Sequence, residues 1–426
     1  MATQESTRRN PWAWVSTLYL AEGLPYAVVM NLAVILYKGL GISNKEIAFW
    51  TSWLYLPWVI KPLWSPCVDI LGTRRRWIWV MQLFIGAGMA GVALVLPAAR
   101  AFQYSLAFFY LLAFSSATQD IATDGFYLLA TTEQEQSFFS GVRNTFYRVA
   151  MIFGQGVLVI VAGFIGKRSG NIVLAWSCTF GLLAVIFFTF GAYHRMILPQ
   201  PESDIPQAGQ SIGHFRAEFL KTFLSFFKKD KIVVLLLFLL LYRFAEAQLV
   251  KMVAPFLLDA REAGGLGLTT GQVGFIYGSV GIAALMCGGL IGGFVVSRNG
   301  LKYWLWWMAL AIHLPDAVFV YLAAAQPGNL WLINLCVAVE QFGYGFGFTA
   351  YMLYMIHISR GPHATAHYAI CTGFMALGMM IPGMFSGWLQ EILGYGHFFL
   401  WVILATIPGF LIVKLIPLEE DFGRKG

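Results

Sequence analysis

The chain has 426 residues, of which 58% are apolar and only 12% charged, about half the charged share of a soluble globular protein. So little charge excludes a water-facing surface, and the surroundings must be a lipid bilayer. The net charge of +7 comes without an aromatic–basic platform or a soluble basic domain, which excludes nucleic acid as the partner.

The apolar residues come in long runs. Residues 77–97 carry no charge at all, enough helix to cross roughly 30 Å of hydrocarbon. Weak strand alternation argues against an outer-membrane barrel. In chain order, spans are expected near 12–37, 44–67, 77–97, 102–131, 139–165 and 172–194. A polar stretch follows at 195–230 with Pro199, Pro201, Pro206 and a Lys/Arg cluster, and residues 214–230 could lie on the membrane as an amphipathic helix. Spans resume near 231–259, 269–295, 301–324, 328–358, 364–392 and 396–417. The expectation is an all-α polytopic membrane protein with twelve transmembrane helices: a six-helix bundle over 1–194, a cytoplasmic central loop over 195–230 and a second six-helix bundle over 231–426. Placing both termini inside puts 17 of the 28 Lys and Arg residues in inner segments and 6 in outer loops, the asymmetry that sets orientation. No cleavable leader is expected, because the polar first residues lead into a span too long for one. The five cysteines lie in or beside spans without metal spacing and read as packing residues.

The halves echo each other. Ser65-x-x-x-Asp69-x-x-Gly72-x-Arg74 closes the second span, and Gly293-x-x-x-Ser297-x-x-Gly300-x-Lys302 closes the eighth at the same spacing. Both resemble the loop motif of the major facilitator superfamily, which makes Asp69, Arg74, Arg75, Gly300 and Lys302 candidates for a cytoplasmic latch. Ala21-Glu22-Gly23 is likewise repeated as Ala245-Glu246-Ala247. Two six-helix halves suit alternating access.

An ionisable group inside a bilayer costs at least a few kcal/mol and needs a partner or a task. The fourth span carries Gln119, Asp120 and Asp124, and the i, i+4 spacing puts both carboxylates on one helix face. Arg143 and Arg148 follow on the fifth span. Glu22 precedes a kink expected at Pro25, and Lys61 sits late in the second span. Arg243, Glu246 and Lys251 occupy the seventh span and Glu340 the tenth. One reading is a polar cavity that binds an anionic solute and moves protons; the other is ion pairing between helices, such as Asp120 with Arg148. Tyr26, Trp53, Tyr147 and Tyr351 are candidates to stack on a sugar ring. No metal constellation is read among the histidines, no phosphate-binding glycine loop is present, and no cofactor is expected.

Specific strings then carry a family resemblance. Lys61-Pro62-Leu63-Trp64-Ser65-Pro66-Cys67-Val68-Asp69, Ser115 through Asp124, Tyr147-Arg148 with Met151, and Tyr242-Arg243 with Glu246 resemble the AmpG-like muropeptide permeases, from about residue 12 to 417. Glu22 where that family commonly has a small residue, and His367 where it has Gln, depart from the pattern. The resemblance implies import of GlcNAc-1,6-anhydro-MurNAc, with or without its peptide, by proton symport across the bacterial inner membrane. Protons would pass by Asp120, Asp124, Glu246 and Glu22. The solute would be held by Gln119, Arg148, Arg243, Glu340, Tyr147 and Tyr26. A monomer is expected. Two strings are shared with acetyl-CoA transporters, so an acetyl-CoA, organic-anion or siderophore carrier is the alternative. A membrane-embedded transferase would need a nucleophile or metal site that the sequence does not offer.

Overall fold

The structure is a computed structural model. It describes residues 9–205 and 212–424, with the side chains of Pro66, Asp69, Glu133, Ser137, Ser140 and 212–219 outside that description. Among the described residues the chain is helical, without a strand. We number the helices α1 (15–39), α2 (44–71), α3 (Arg74–Val95), α4 (Ala101–Ala130), α5 (133–169), α6 (Ile172–Ile197), α7 (Ile212–Phe227), α8 (232–258), α9 (270–299), α10 (301–325), α11 (Leu330–Ser359), α12 (Ala364–Leu404) and α13 (Ile407–Val413). α12 turns at Gly394, whose φ of 70° leaves the helical region, so its two parts fall on the eleventh and twelfth expected spans. Every expected span lies on a helix, and among the described residues eight helical stretches are long and apolar enough to cross a membrane. α7 occupies the stretch expected to hold an amphipathic helix.

Polar side chains cap the starts of six of the helices. Thr132 and Glu135 form a capping box at α5, and Thr269 with Gln272 forms another at α9. Ser43, Thr73, Asn171 and Asn329 accept from the first-turn amides of α2, α3, α6 and α11. Several helices are interrupted within the apolar runs. α1, α5 and α9 contain wide π-helical turns at Val28–Leu32, Phe153–Val157 and Gly274–Gly281. α8 breaks at Tyr242–Arg243, and α10 passes through a 3-10 turn at Leu314–Asp316. Such interruptions persist at depth only where neighbouring groups satisfy the freed backbone.

The contacts divide the chain into two units: residues up to 36 with 60–211, and 37–59 with 212 onward. In the first unit Trp14, Leu18, Val68, Phe126 and Tyr127 form a buried core. In the second, Phe238, Tyr242, Met308, Tyr351 and Tyr354 do so. α9 and α11 cross there with almost no side chain between them: a Cβ on Gly345 would stand 2.0 Å from the carbonyl oxygen of Leu285, and one on Gly288 would stand 2.1 Å from that of Phe342. Small residues let membrane helices approach this closely. Large apolar side chains such as Leu94, Leu290 and Trp331 are exposed, as lipid-facing residues must be.

Candidate functional site: an acidic cluster in each half

In the first unit the cluster stands on α1, α2, α4 and α5. Asp120 and Asp124 share a face of α4, as their spacing requires. Lys61 of α2 approaches Asp120 at 3.7 Å, and Arg143 of α5 binds Asp124 at 2.8 Å. The Arg143 guanidinium also lies 4.6 Å from the ring centre of Tyr19 and 4.9 Å from that of Tyr127, so two π-faces and a carboxylate hold one cation. The Tyr19 hydroxyl points to Asp124 at 3.5 Å. Glu22, one turn beyond Tyr19, is buried, and both α4 carboxylates and both cations are within its electrostatic reach. Three acids therefore face at least two bases here. Gln119 is fully buried with no protein partner for its amide, and Ser116 and Thr123 on the same helix also have unpartnered hydroxyls. Arg148 is partly buried on α5 beside Tyr147, and the Tyr147 backbone packs on α1 at Gly23.

The sequence candidates for a latch settle at the ends of these helices. Arg75 Nε donates to the Leu198 carbonyl at 3.1 Å and its Nη2 to that of Arg195. Arg74 packs its guanidinium over Gly125. The amides of Arg74 and Arg75 are capped by Asp204 at 2.8 and 3.0 Å, a partner the sequence did not single out. The Asp69 side chain lies outside the described residues. In the second unit Gly300 has φ 83°, the Leu301 amide donates to the Phe422 carbonyl at 2.8 Å, and Lys302 meets Glu420 at 3.2 Å.

The second unit gathers a different cluster. Glu246 stands one turn beyond the break in α8, Asp316 in the 3-10 turn of α10, and Glu340 on α11. One carboxylate oxygen from each lies within 4.8 Å of the others. All three residues are almost fully buried. Both oxygens of Glu246 and both of Asp316 lack a protein donor, whereas Glu340 accepts from Gln341 at 3.0 and 3.3 Å. Tyr277, inside the wide turn of α9, is within electrostatic reach of Glu340 and Glu246. Asp316 is absent from the sequence candidates. Its only signal there is an acid after proline in the middle of an apolar run.

Arg243 is held by aromatics. It donates to the Tyr344 hydroxyl and lies 4.8 Å from the ring centre of Phe348. Tyr351, a candidate for sugar stacking, is instead core: fully buried, stacked on Phe238 and Tyr242, and donating to the Leu239 carbonyl at 2.6 Å. Lys251 donates to the Thr51 hydroxyl at 3.0 Å. At the start of α2, Asn44 stands between Lys38 (2.7 Å), Gln390 (2.6 Å) and Tyr395 (2.9 Å), and Lys38 pairs with Asp259 at 2.6 Å.

Broken apolar helices with buried charge beside the breaks are a recurring feature of membrane transporters, and the family match and permease-named relatives make this chain a transporter rather than an enzyme. The Major Facilitator Superfamily profile matches residues 15–381, and the chain belongs to that superfamily. Among curated proteins it is similar to putative transporter AmpG 4 of Rickettsia conorii, 25% identical over 94% of each chain. It is also similar to the anhydromuropeptide permease of Escherichia coli K12, 23% identical over 96% of this chain and 80% of that one. Among solved structures, the D-xylose-proton symporter aligns with a TM-score of 0.70 at 16% identity, over 97% of this chain and 98% of the other. The nucleoside transporter NupG aligns with a TM-score of 0.68 at 15% identity, over 95% and 98%. These two share the fold.

Proposed function

We propose that this chain imports anhydro-muramyl amino sugars, GlcNAc-1,6-anhydro-MurNAc with or without its stem peptide, by proton symport across a bacterial inner membrane with both termini in the cytoplasm. The similarity to the anhydromuropeptide permease, which spans both halves, carries this reading. The chemistry of the first unit supports it. Asp120 and Asp124 are held by cations on other helices, and the Lys61 contact with Asp120 is long. Protonation of Asp120 weakens the hold of that carboxylate on its cationic neighbours and frees positive charge for the carboxylate of an incoming solute. Arg148 is the base assigned to the solute, with Gln119, Tyr147 and Tyr26 offering amide and ring contacts to the sugars. Glu22 is a reserve proton acceptor beside the same pair. Asp69, Arg74, Arg75, Gly300 and Lys302 set the balance between conformations without touching solute. Proton and solute therefore bind together, the proton on Asp120 and the solute carboxylate on the cations it frees, and the solute is not chemically altered.

Uptake of labelled anhydro-disaccharide into vesicles, with and without an inward proton gradient, tests this. Gradient-dependent accumulation is expected, lost in Asp120→Asn while solute exchange without a gradient survives. Accumulation in Asp120→Asn with a normal response to the gradient removes Asp120 as the coupling acid. Failure of wild type to take up the disaccharide, with uptake of acetyl-CoA instead, overturns the solute.

A further inference from the structure

The two clusters differ in how their charge is balanced. In the first unit, Lys61 and Arg143 contact the α4 acids directly. In the second, Glu246, Asp316 and Glu340 bring three buried carboxylates together, and the cation within electrostatic reach of Glu246 is Arg243, which aromatic rings and the Tyr344 hydroxyl already hold. With all three acids ionised and Arg243 counted, two negative charges remain. Burying one such charge without a partner costs several kcal/mol, so the trio requires added positive charge.

Three features say what supplies it. First, four carboxylate oxygens, two on Glu246 and two on Asp316, are buried without a protein donor. Glu340, by contrast, has its oxygens engaged by Gln341. Second, three oxygens no more than 4.8 Å apart surround a point no further than about 2.8 Å (4.8 Å divided by √3) from each, close to the roughly 2.3–2.6 Å at which oxygen ligands hold calcium. Third, two of the three helices that carry these residues are interrupted there, α8 breaking at Arg243 and α10 turning through Asp316, and α9, whose Tyr277 is within electrostatic reach of Glu340 and Glu246, carries its wide turn at the same place. Discontinuous helices that line an ion site in this way are a recurring solution in membrane transporters.

We propose that Glu246, Asp316 and Glu340 form a binding site for a hard metal cation, of the sodium or calcium class. The donor set is all oxygen, with no thiolate or imidazole, which selects against soft and borderline metals. Magnesium demands a tight octahedron and gives up its waters reluctantly, which three widely set carboxylates do not offer. One calcium ion, or one sodium ion with one proton, balances the two residual charges. The site belongs to the second unit alone and does not depend on which solute is carried.

The test uses the purified full-length protein in detergent, without solute, at constant ionic strength maintained with choline chloride. Sodium, potassium, calcium and magnesium chlorides are titrated separately between pH 5.5 and 8.5 while thermal unfolding is followed by tryptophan fluorescence. Sodium or calcium is expected to raise the unfolding midpoint saturably where potassium and magnesium do not, with the effect fading at acid pH as protons compete. Asp316→Asn should abolish the ion-specific rise, and Glu340→Gln, which keeps the shape of the side chain, should raise the half-saturating concentration at least tenfold. Glu262→Gln, on an exposed turn of the same unit, should change neither. Direct calorimetric titration on wild type and Glu340→Gln keeps the question open to refutation should Asp316→Asn not fold. No ion-specific response in wild type, or one that Glu340→Gln leaves unchanged, overturns the site. Stabilisation by acid alone, with no ion dependence, assigns the trio to protons and also overturns it. Because no solute is present, neither outcome bears on the choice of solute.

Discussion

Arg143 binds Asp124 at 2.8 Å while its guanidinium lies across the rings of Tyr19 and Tyr127. The pair is partly exposed, with 49% of the Asp124 side chain accessible, so the ion pair itself contributes under about 1 kcal/mol. The two ring contacts add about 0.5–1 kcal/mol each. Arg143→Ala is therefore expected to cost about 1–3 kcal/mol and lower the thermal midpoint in detergent by a few degrees. Arg143→Lys, which keeps the charge and loses the planar stack, should fall between. An unchanged midpoint in Arg143→Ala would show that the rings do not hold the cation.

Asn44 joins three helical segments of the second unit through its side chain, and its two amide protons are shared among Gln390, Tyr395 and the more distant Asp259. Asn44→Ala leaves buried partners unmade and is expected to cost about 2–3 kcal/mol. Because the groups act as one network, Asn44→Ala combined with Gln390→Leu should cost less than the two single changes added together. Strict additivity in melting experiments would contradict the network.

The α9–α11 crossing should be intolerant of a single methyl group. Gly345→Ala would press its Cβ against the Leu285 backbone, so the helices must separate, at a cost of about 1–3 kcal/mol. Gly293→Ala on the same α9 meets nothing within 4 Å and is expected to be neutral or slightly stabilising. Comparing the two variants by thermal unfolding isolates the close approach from the general effect of replacing glycine.

Gly300 has φ 83° and ψ 158°, a region open essentially to glycine alone. Gly300→Ala is expected to cost about 1–3 kcal/mol. Arg360→Gln, which removes the exposed pair with Glu419, should leave stability unchanged within about 0.5 kcal/mol. A reversed order would mean that the chain end is held by charge rather than by the backbone turn at Gly300.

The spans were legible because a bilayer imposes one length and one polarity on every crossing, so long, predominantly apolar runs announce themselves. The shared face of Asp120 and Asp124 was legible too, since it follows from helical spacing alone. The bases that meet them were harder to assign. Lys61, Arg143 and Arg148 all have flexible side chains long enough to reach α4, and spacing along α5 does not say which rotamer or which neighbouring helix wins. Asp316 was missed for a related reason: its neighbours Glu246 and Glu340 lie on other helices, and no local pattern links the three. Tyr351 looked like a ring for a sugar and proved to be core, because a tyrosine whose hydroxyl finds a carbonyl packs as well as a phenylalanine.

A π-helical turn accommodates one residue more than an ordinary turn. Shifting that extra residue along a helix would rotate the side chains it passes by about 100° around the axis, the angle each residue subtends. Tyr277 lies inside the wide turn of α9, so the side chain that α9 presents to Glu340 and Glu246 depends on where the turn stands. The same insertion offsets residue numbers against helix faces. Aligning the two halves position by position past Val28 or Gly274 would therefore match side chains that point in different directions, and only a comparison by face would pair like positions.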